Sequence, residues 1–263
     1  MKYLRTKKLR GGVAISLRND NKIFGSIKIF TPQEEINTIL QKVLLITRDY
    51  VFDSIVGAVP YQFTDKVRED NPKFLNDIPV SFDLRTNVLD KLNGKLFFKD
   101  IPLDHQKYIK IYGLLNRKRI GMWILEKYVT TQAKNFEGYK VLLSKASGTG
   151  AFGEVLAVPF IAGPYEGHTQ SFVSIGNFKG RCEAERLEKY IRGKFFRSML
   201  GILKKTQDLS KAKFKYIPMQ DFSASSDIDW SQSIHDIDLQ LYRKYGLDEK
   251  EINFIESHVK EMA

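Results

Sequence analysis

Residues 139–164 read "YKVLLSKASGTGAFGEVLAVPFIAGP", and the interpretation of the fold starts from this stretch. Its first and last parts are rich in apolar and β-branched residues, which is typical of β-strands. Between them, Gly148, Gly150 and Gly153 complete the spacing G-x-G-x-x-G. Because glycine adopts positive φ angles at little cost, this segment predicts a turn. The stretch therefore predicts a strand, a glycine turn and a second strand.

The same glycine spacing occurs in nucleotide-binding loops, and the surrounding residues test that function. A dinucleotide-binding loop leads into a helix whose N-terminus holds the phosphates, but here β-rich residues run into Pro159. A protein kinase also needs a V-A-I-K-like lysine, an H-R-D loop and a D-F-G motif, and none follows Gly153. The sequence therefore argues against a nucleotide loop.

Two interpretations of the glycine turn stay open. One is a plain hairpin whose glycines supply the positive φ angles. The other is a mobile basic tip, in which Lys145, Ser147 and Thr149 approach a phosphate backbone or a base edge.

Upstream of this stretch, the sequence indicates strands on both sides of a helix. Residues 11–30 contain two strand-like runs around a polar turn. Thr31 and Pro32 fit the N-cap and the first position of a helix. Residues 108–125, "YIKIYGLLNRKRIGMWIL", predict two strands joined by the basic turn N-R-K-R. The apolar face predicted for the helix consists of Ile36, Ile39, Leu40, Val43 and Leu44.

Downstream of this stretch, helices dominate the pattern. A long helix is predicted over residues 182–205, and "FKYIPM" (residues 214–219) predicts a short strand. A further helix ends at Gly246, and Asp248 begins the last one. We therefore predict an α+β fold with mixed strands, a long basic helix and C-terminal helices.

The charge of the chain is unevenly distributed. The 263 residues carry a net charge of +11, whereas residues 221–263 carry −6, which leaves +17 on residues 1–220. Such a positive field favours a polyanionic partner, because binding to nucleic acid releases counterions. A basic protein whose lysines are simply solvated is the alternative.

Several functions are not supported by the composition. No apolar run approaches the roughly 20 residues that span a bilayer, so we expect no membrane partner. The single Cys182 excludes internal disulfides and favours a cytoplasmic location. The four histidines lack the spacing of a metal site, and no P-D…E-x-K nuclease motif is present. We therefore predict no metal site and no nuclease activity.

The predicted long helix is basic on its surface. Lys189, Arg192, Lys194, Arg197, Lys204 and Lys205 occur along it, and no acidic residue follows Lys189 until Asp208. This second half favours phosphate contacts, whereas Glu183, Glu185 and Glu188 offset the cations of the first half.

Three motifs near this helix resemble a known family. They are "KFFR" at residues 194–197, "TQD" at 206–208 and "QDF" at 220–222. With their surroundings they are similar to the C-terminal region of type II adenine-specific DNA methyltransferases, including the fused type IIG restriction–modification enzymes. The resemblance is dense from about Tyr108 to the end. It implies a target-recognition region that reads DNA while a catalytic half flips and methylates an adenine.

The catalytic motifs of that family are missing from this chain. The N-P-P-[YF] motif and the glycine motif that binds S-adenosylmethionine do not occur. The resemblance therefore implies that this chain has no catalytic activity by itself and binds no cofactor. S-adenosylmethionine is expected only in a catalytic partner or a missing N-terminal half. It also implies three parts: residues 1–56 as the end of a catalytic domain, 57–107 as a linker or irregular segment, and 108–263 as the target-recognition domain with an acidic helical tail.

The function expected from charge and resemblance together is sequence-specific binding of double-stranded DNA in a bacterial restriction–modification system. The alternative is an assembly subunit that completes a separate methyltransferase or nuclease chain through its first strands; RNA binding is a third, weaker option. The expected DNA-binding residues are Arg117, Lys118, Arg119, Lys145, Ser147, Thr149, Lys194, Arg197, Lys204, Lys205 and Gln207.

Overall fold

Three small β-sheets and a set of helices make up the fold. The structure, a computed structural model, describes residues 29, 31–47, 52–57 and 60–262. In this part of the chain the α-helices are α1 (Glu34–Ile46), α2 (Lys66–Asp70), α3 (Val88–Leu92), α4 (Arg181–Arg192), α5 (Lys194–Leu200), α6 (Ile234–Lys244) and α7 (Glu249–His258). The predicted α+β class is confirmed, whereas the predicted strands of residues 11–30 lie outside the described residues.

The strands pair mainly antiparallel. They are β1 (Val56–Gly57), β2 (Tyr61–Phe63), β3 (Tyr108–Leu115), β4 (Lys118–Leu125), β5 (Val129–Thr131), β6 (Tyr139–Ser144), β7 (Phe160–Ala162), β8 (Glu166–His168) and β9 (Phe172–Phe178). One sheet has the order β1-β9-β6-β7, the second pairs β2 with β5, and the third has the order β4-β3-β8. Within the third sheet β3 and β8 run parallel. All these elements belong to one compact unit, Gln33–Ala263.

The hairpin of β3 and β4 has a basic turn where the sequence predicts one, but the turn is shorter than the predicted N-R-K-R. Leu115 pairs with Lys118, so only Asn116 and Arg117 form the turn. Their φ angles are 49° and 62°, as in the type I′ turns that match the twist of paired strands. Asparagine tolerates this conformation well, whereas arginine adopts it at some cost. The turn therefore holds Arg117 at the exposed end of the hairpin.

The single long helix predicted over residues 182–205 is wrong. The chain turns at Gly193, which has the extended angles φ −60° and ψ 151° and separates α4 from α5. The Asp238 carboxylate of α6 then accepts hydrogen bonds from the backbone N–H groups of Lys194 and Phe195. These N–H groups begin α5 and have no partner inside it, so the carboxylate caps the new helix.

Two further local predictions are corrected. Helix α1 begins at Glu34 with Gln33 as its N-cap, two residues after the predicted Thr31. Its predicted apolar face is buried except for Leu44, which is 45% exposed. The predicted strand "FKYIPM" is wrong: its Phe214 ends the 3₁₀-helix Lys211–Phe214 and stacks on Phe52, and residues 215–217 form a turn and a bend.

The two predicted C-terminal helices are confirmed. Gly246, with a φ of 62°, follows α6, and Asp248 caps α7 by accepting from the N–H of Glu251. Acidic side chains of this region bond to the protein itself: Glu251 pairs with Lys42 at 2.6 Å and Glu256 with Lys194 at 2.5 Å. The acidic tail is thereby attached to α1 and α5.

Several apolar clusters stabilise the unit, and two of them bear on the predicted parts of the chain. The first lies under β2, β3 and β4, and two thirds of its buried members come from residues 57–107, among them Phe63, Leu89 and Phe97. The second is aromatic, with Phe196 packed edge-to-face on Phe52 and Tyr190 at 5.2 and 5.1 Å. The described residues of segment 57–107 thus form short helices and a strand on a shared core. The three predicted domain boundaries stay predictions.

The "KFFR" and "QDF" motifs supply aromatic residues to the second cluster. Phe196 of "KFFR" and Phe222 of "QDF" both contact Tyr190. Phe195 of "KFFR" is also buried, but it packs on Tyr242 and Tyr245 of the α6 end instead. The buried Gln220 donates to the Tyr245 hydroxyl at 2.9 Å. These residues therefore have structural contacts in this chain. None of the helices in its described part is long and apolar enough to cross a membrane.

Candidate nucleic-acid groove

The glycine segment forms a long loop between β6 and β7, which pair antiparallel as the sequence predicts. Gly148, Gly150 and Gly153 have φ angles of 66°, 96° and 70°. The Glu154 carboxylate accepts hydrogen bonds from the N–H groups of Thr149 at 2.6 Å and Gly150 at 2.8 Å. Successive backbone N–H groups of this kind form an anion-binding concavity. In this protein the concavity holds the protein's own carboxylate.

Two cations predicted to contact DNA bind the same glutamate. The Lys204 ammonium pairs with the Glu154 carboxylate, and Arg197 Nη1 donates to the Glu154 carbonyl at 3.4 Å. Both cations are only 3% exposed. Burial raises the pKa of Glu154, but the hydrogen bonds from Lys204 and the backbone outweigh it and hold that pKa at about 2. Lys204 and Arg197 therefore stabilise the loop.

The loop packs against helices on its other side. Phe152 contacts Phe254 of α7, with ring centroids 5.7 Å apart, and Gly153 lies against the His258 carbonyl. The buried Ser147 accepts a hydrogen bond from the N–H of Ala157 at 2.8 Å. The loop thus differs from both interpretations of the sequence: it is longer than a hairpin turn, and its middle is fixed by contacts.

The remaining helix cations also bond to the protein. Lys194 pairs with Glu256, and Lys205 donates to the carbonyl of Gly201 at 2.8 Å. Arg197 Nε donates to the carbonyls of Arg192 and Gly193 at the end of α4. Of these residues only Lys205 is exposed.

A polar groove lies elsewhere, where two adjoining cavities share Lys145 and Gln170. The first, the Tyr61 cavity, has a volume of about 370 Å³ and is lined by Gly57, Pro60, Tyr61, Lys145, His168, Thr169, Gln170, Phe172, Val173, Leu209, Ser210 and Lys211. The second, the Gln207 cavity, has a volume of about 500 Å³ and is lined by Thr86, Leu114, Ser144, Lys145, Ala146, Gln170, Ser171, Gln207 and Asp208. We refer to the two together as the Lys145 groove.

The groove is positively charged. Within the described residues, the exposed ammonium groups of Lys145 and Lys211 have no ion-pair or hydrogen-bond partner. Asp208 is the one acidic residue among the described residues that line either cavity. Backbone pairing brings the two lysines near each other, because the Lys145 carbonyl accepts from the N–H of Leu209 at 2.8 Å.

The basic hairpin turn follows a residue of the groove wall in the chain. Leu114 lines the Gln207 cavity, and Arg117 and Lys118 follow at the end of the same hairpin. Arg119 is held in place, since its guanidinium donates to the Val158 carbonyl at 2.8 Å and lies 4.5 Å from the centroid of the Phe160 ring. Arg117 and Lys118 are exposed, with no side-chain partner in the described part of the chain.

The structure thus separates the predicted site residues into two groups. Lys145 and Gln207 line the groove, whereas Arg117, Lys118 and Arg119 lie in the turn and at the start of β4, next to Leu114 of the groove wall. The other group, Ser147, Thr149, Lys194, Arg197, Lys204 and Lys205, bonds to the protein's own loop and helices.

Sequence reasoning missed Thr86, Gln170 and Lys211. They come from segments far apart in the chain, and none belongs to a local pattern. Only the fold brings them to Lys145.

The Tyr61 cavity has an aromatic and polar wall. The rings of Tyr61 and His168 meet edge-to-face with centroids 5.0 Å apart. His168 Nδ1 lies 2.9 Å from the Thr169 carbonyl, which can only accept, so Nδ1 carries the proton and Nε2 is an acceptor. Burial lowers the pKa of His168 to about 4, so the imidazole is neutral at pH 7.

Comparisons with known proteins do not assign this site. No family model, no curated protein and no solved structure matches the chain. Among the described residues, no group of three or more His, Cys, Asp or Glu side chains could hold a metal ion. The resemblance to a target-recognition region therefore stays a prediction.

Proposed function

We propose that this chain binds double-stranded DNA and that the Lys145 groove contacts the phosphate backbone. The observation that carries the proposal is the pair of exposed ammonium groups of Lys145 and Lys211, which are unpaired within the described residues and lie in a groove with one acidic residue among those residues. Cations without a protein partner release counterions when they meet phosphates, and this release drives binding. The charge of +17 on residues 1–220 acts in the same direction.

The hairpin turn is the element we propose for reading sequence. A two-stranded β-ribbon fits the major groove of DNA, and arginine or lysine can contact guanine edges there. Arg117 and Lys118 are exposed at the end of the β3–β4 ribbon. If the Lys145 groove holds the phosphates, the hairpin turn is the basic element next to it that would contact the bases.

The resemblance supports a finer proposal. As a target-recognition part, the chain would direct adenine methylation or cleavage by a catalytic half that it does not contain. Neither an N-P-P-[YF] motif nor a nuclease motif occurs in its sequence, so a catalytic half outside this sequence, in a partner chain or in an N-terminal part of the same protein, would supply the chemistry.

A binding assay on duplex DNA tests the proposal. We expect the double variant Lys145→Ala/Lys211→Ala to bind a mixed-sequence duplex about tenfold more weakly or worse, measured by fluorescence anisotropy at fixed salt. Lys99→Ala is the matched control, because Lys99 is also exposed but belongs to the segment that pairs near the opposite end of the β3–β4 hairpin. Equal affinities for both variants would contradict the groove assignment.

Selection from a randomised duplex pool tests the reading element. We expect Arg117→Ala/Lys118→Ala to change the selected bases, because each good bidentate contact discriminates by about 1–3 kcal/mol. If both the unaltered protein and this variant select the same sequence, the hairpin turn does not read DNA.

The assembly function remains the alternative. It depends on the predicted strands of residues 11–30, which lie outside the described residues. Copurification with a separately encoded catalytic chain, without any duplex binding by either protein alone, would favour it over the groove.

A further inference from the structure

The wall of the Tyr61 cavity contains two buried polar atoms without a partner. Within the described structure, neither the Tyr61 hydroxyl nor His168 Nε2 makes a hydrogen bond, although the residues are only 1% and 7% exposed. An unmet buried donor or acceptor costs about 1–3 kcal/mol. Such groups in a cavity wall point to a ligand that supplies the missing bonds.

The two atoms define the chemistry of the complementary ligand edge. His168 Nε2 can only accept, because Nδ1 carries the proton, whereas the Tyr61 hydroxyl can donate. A ligand with a donor and an acceptor side by side would satisfy both. The amide-like edges of nucleobases have this arrangement, and their flat rings suit a wall that includes Tyr61 and Phe172.

The charge of the cavity favours an anionic ligand. Lys145 and Lys211 line it, and none of its described lining residues is acidic. The uncommitted ammonium groups can bind a phosphate as point charges. The volume of about 370 Å³ falls within the range of about 300–1,000 Å³ that is usual for small-molecule sites.

We propose that the Tyr61 cavity binds a nucleoside monophosphate, with its base against the Tyr61 and His168 wall and its phosphate at Lys145 and Lys211. The nucleotide is either free or the 5′-phosphorylated end of a strand. This site goes beyond duplex binding: it shares the two lysines with the proposed groove contacts, but the Tyr61 hydroxyl and His168 Nε2 have no role in those. Because solvent does not reach these two atoms, binding of the base requires a small shift of the wall.

Calorimetric titration tests the proposal with nucleoside 5′-monophosphates, ribose 5-phosphate and inorganic phosphate as probes. We expect at least one monophosphate to bind at 1:1 stoichiometry and about tenfold more tightly than ribose 5-phosphate, since only the former offers a base. Tyr61→Phe keeps the ring and should weaken binding about five- to tenfold, the value of one hydrogen bond. His168→Asn keeps a donor for the Thr169 carbonyl, deletes Nε2 and should do the same.

Two comparisons separate this proposal from duplex binding. Tyr61→Phe and His168→Asn should leave affinity for a duplex without terminal phosphates unchanged, whereas Lys145→Ala/Lys211→Ala should weaken both ligands. Duplex binding without a monophosphate preference over inorganic phosphate would overturn the nucleotide site alone. Monophosphate binding without duplex binding would overturn the proposed function alone.

A last comparison identifies the source of the nucleotide. If a single strand with a 5′-phosphate binds more tightly than both the same strand with a 5′-hydroxyl and the free monophosphate, the ligand is the strand end. Tighter binding of the free monophosphate assigns the free nucleotide. If Tyr61→Phe and His168→Asn, both folded by circular dichroism, bind every probe as the unaltered protein does, the cavity wall does not bind the base and the proposal is wrong.

Discussion

The Lys145 groove and the α5 region contain the same kinds of side chain in opposite situations. Around α5, Lys194 and Lys204 pair with glutamates and Arg197 donates to carbonyl groups. In the groove, the ammonium groups of Lys145 and Lys211 stay exposed and unpaired within the described residues. Cations that look alike in the sequence therefore divide into those paired within the protein and those left exposed and unpaired in its described part.

One loop connects the two regions. It leaves β6 at Lys145, which faces the groove, and nine residues later Glu154 binds Lys204 beside α5. Substitutions in one region can therefore be compared with substitutions in the other. We expect those around α5 to lower the stability of the protein and those in the groove to weaken ligand binding.

The largest effect on stability is expected for Lys204→Met. This substitution leaves the Glu154 carboxylate without its buried cation and should lower the free energy of unfolding by about 3–5 kcal/mol, measured by urea denaturation. The exposed neighbour is the control: Lys205→Met should change stability by less than about 0.5 kcal/mol. Similar losses for both variants would contradict a specific role for the Glu154 pair.

His168 should make the stability of the protein sensitive to acid. Its folded-state pKa of about 4 lies below the ordinary value of 6.5, so below pH 6.5 the unfolded chain binds a proton that the folded protein excludes. The stability contribution is present above pH 6.5 and falls by about 3 kcal/mol as the pH drops to about 4. In His168→Asn this loss should be absent. Urea denaturation of both proteins at several pH values should therefore show that the difference between their free energies of unfolding changes by about 3 kcal/mol over this range. Parallel pH profiles would contradict the buried neutral imidazole.

Asp238 should act with the opposite sign beside α5. Burial raises its pKa to about 6 against the pull of the Lys194 and Phe195 N–H groups. Between pH 3.8 and 6 the folded protein holds a proton that the unfolded chain has lost, so stability falls by about 3 kcal/mol as the pH rises through that window. Asp238→Asn removes a titrating group, and its stability relative to the unaltered protein should improve over the same window. A constant difference would show that the carboxyl titrates normally.

The smallest effect concerns the tip of the glycine loop. The Thr149 hydroxyl donates to the Glu154 carboxylate at 3.1 Å, so Thr149→Ala should cost about 1 kcal/mol of stability and leave duplex affinity unchanged. Thr149→Ser retains the hydroxyl and serves as the control. Loss of duplex affinity in a fully folded Thr149→Ala protein would return this residue to the DNA contacts that the sequence predicts.

Local patterns predicted the hairpin and the C-terminal helices, because their signals lie within a few residues. Asn116 at a strand end and Gly246 after an amphipathic run are such signals. The break at Gly193 depends on the Asp238 carboxylate from α6, far away in the sequence, so helical periodicity could not show it.

The groove was harder to predict for the same reason. Lys145 was found through its position beside the glycines, whereas Lys211 has no local signal and joins it only through the backbone pairing of Leu209. Sequence also assigned Arg197 and Lys204 to phosphate contacts, since charge patterns do not reveal which cations are buried. Both contact Glu154, which lies in the loop between β6 and β7, about 40 to 50 residues away in the sequence.

The salt dependence of duplex binding tests the central claim most directly. The logarithm of the binding constant falls with the logarithm of salt concentration by about 0.9 for each phosphate contacted. Lys145→Ala/Lys211→Ala should reduce this slope by about 2, whereas Lys204→Met, measured where it is fully folded, should leave it unchanged. An unchanged slope for the groove pair together with a reduced slope for Lys204→Met would contradict the division between structural and ligand-binding cations.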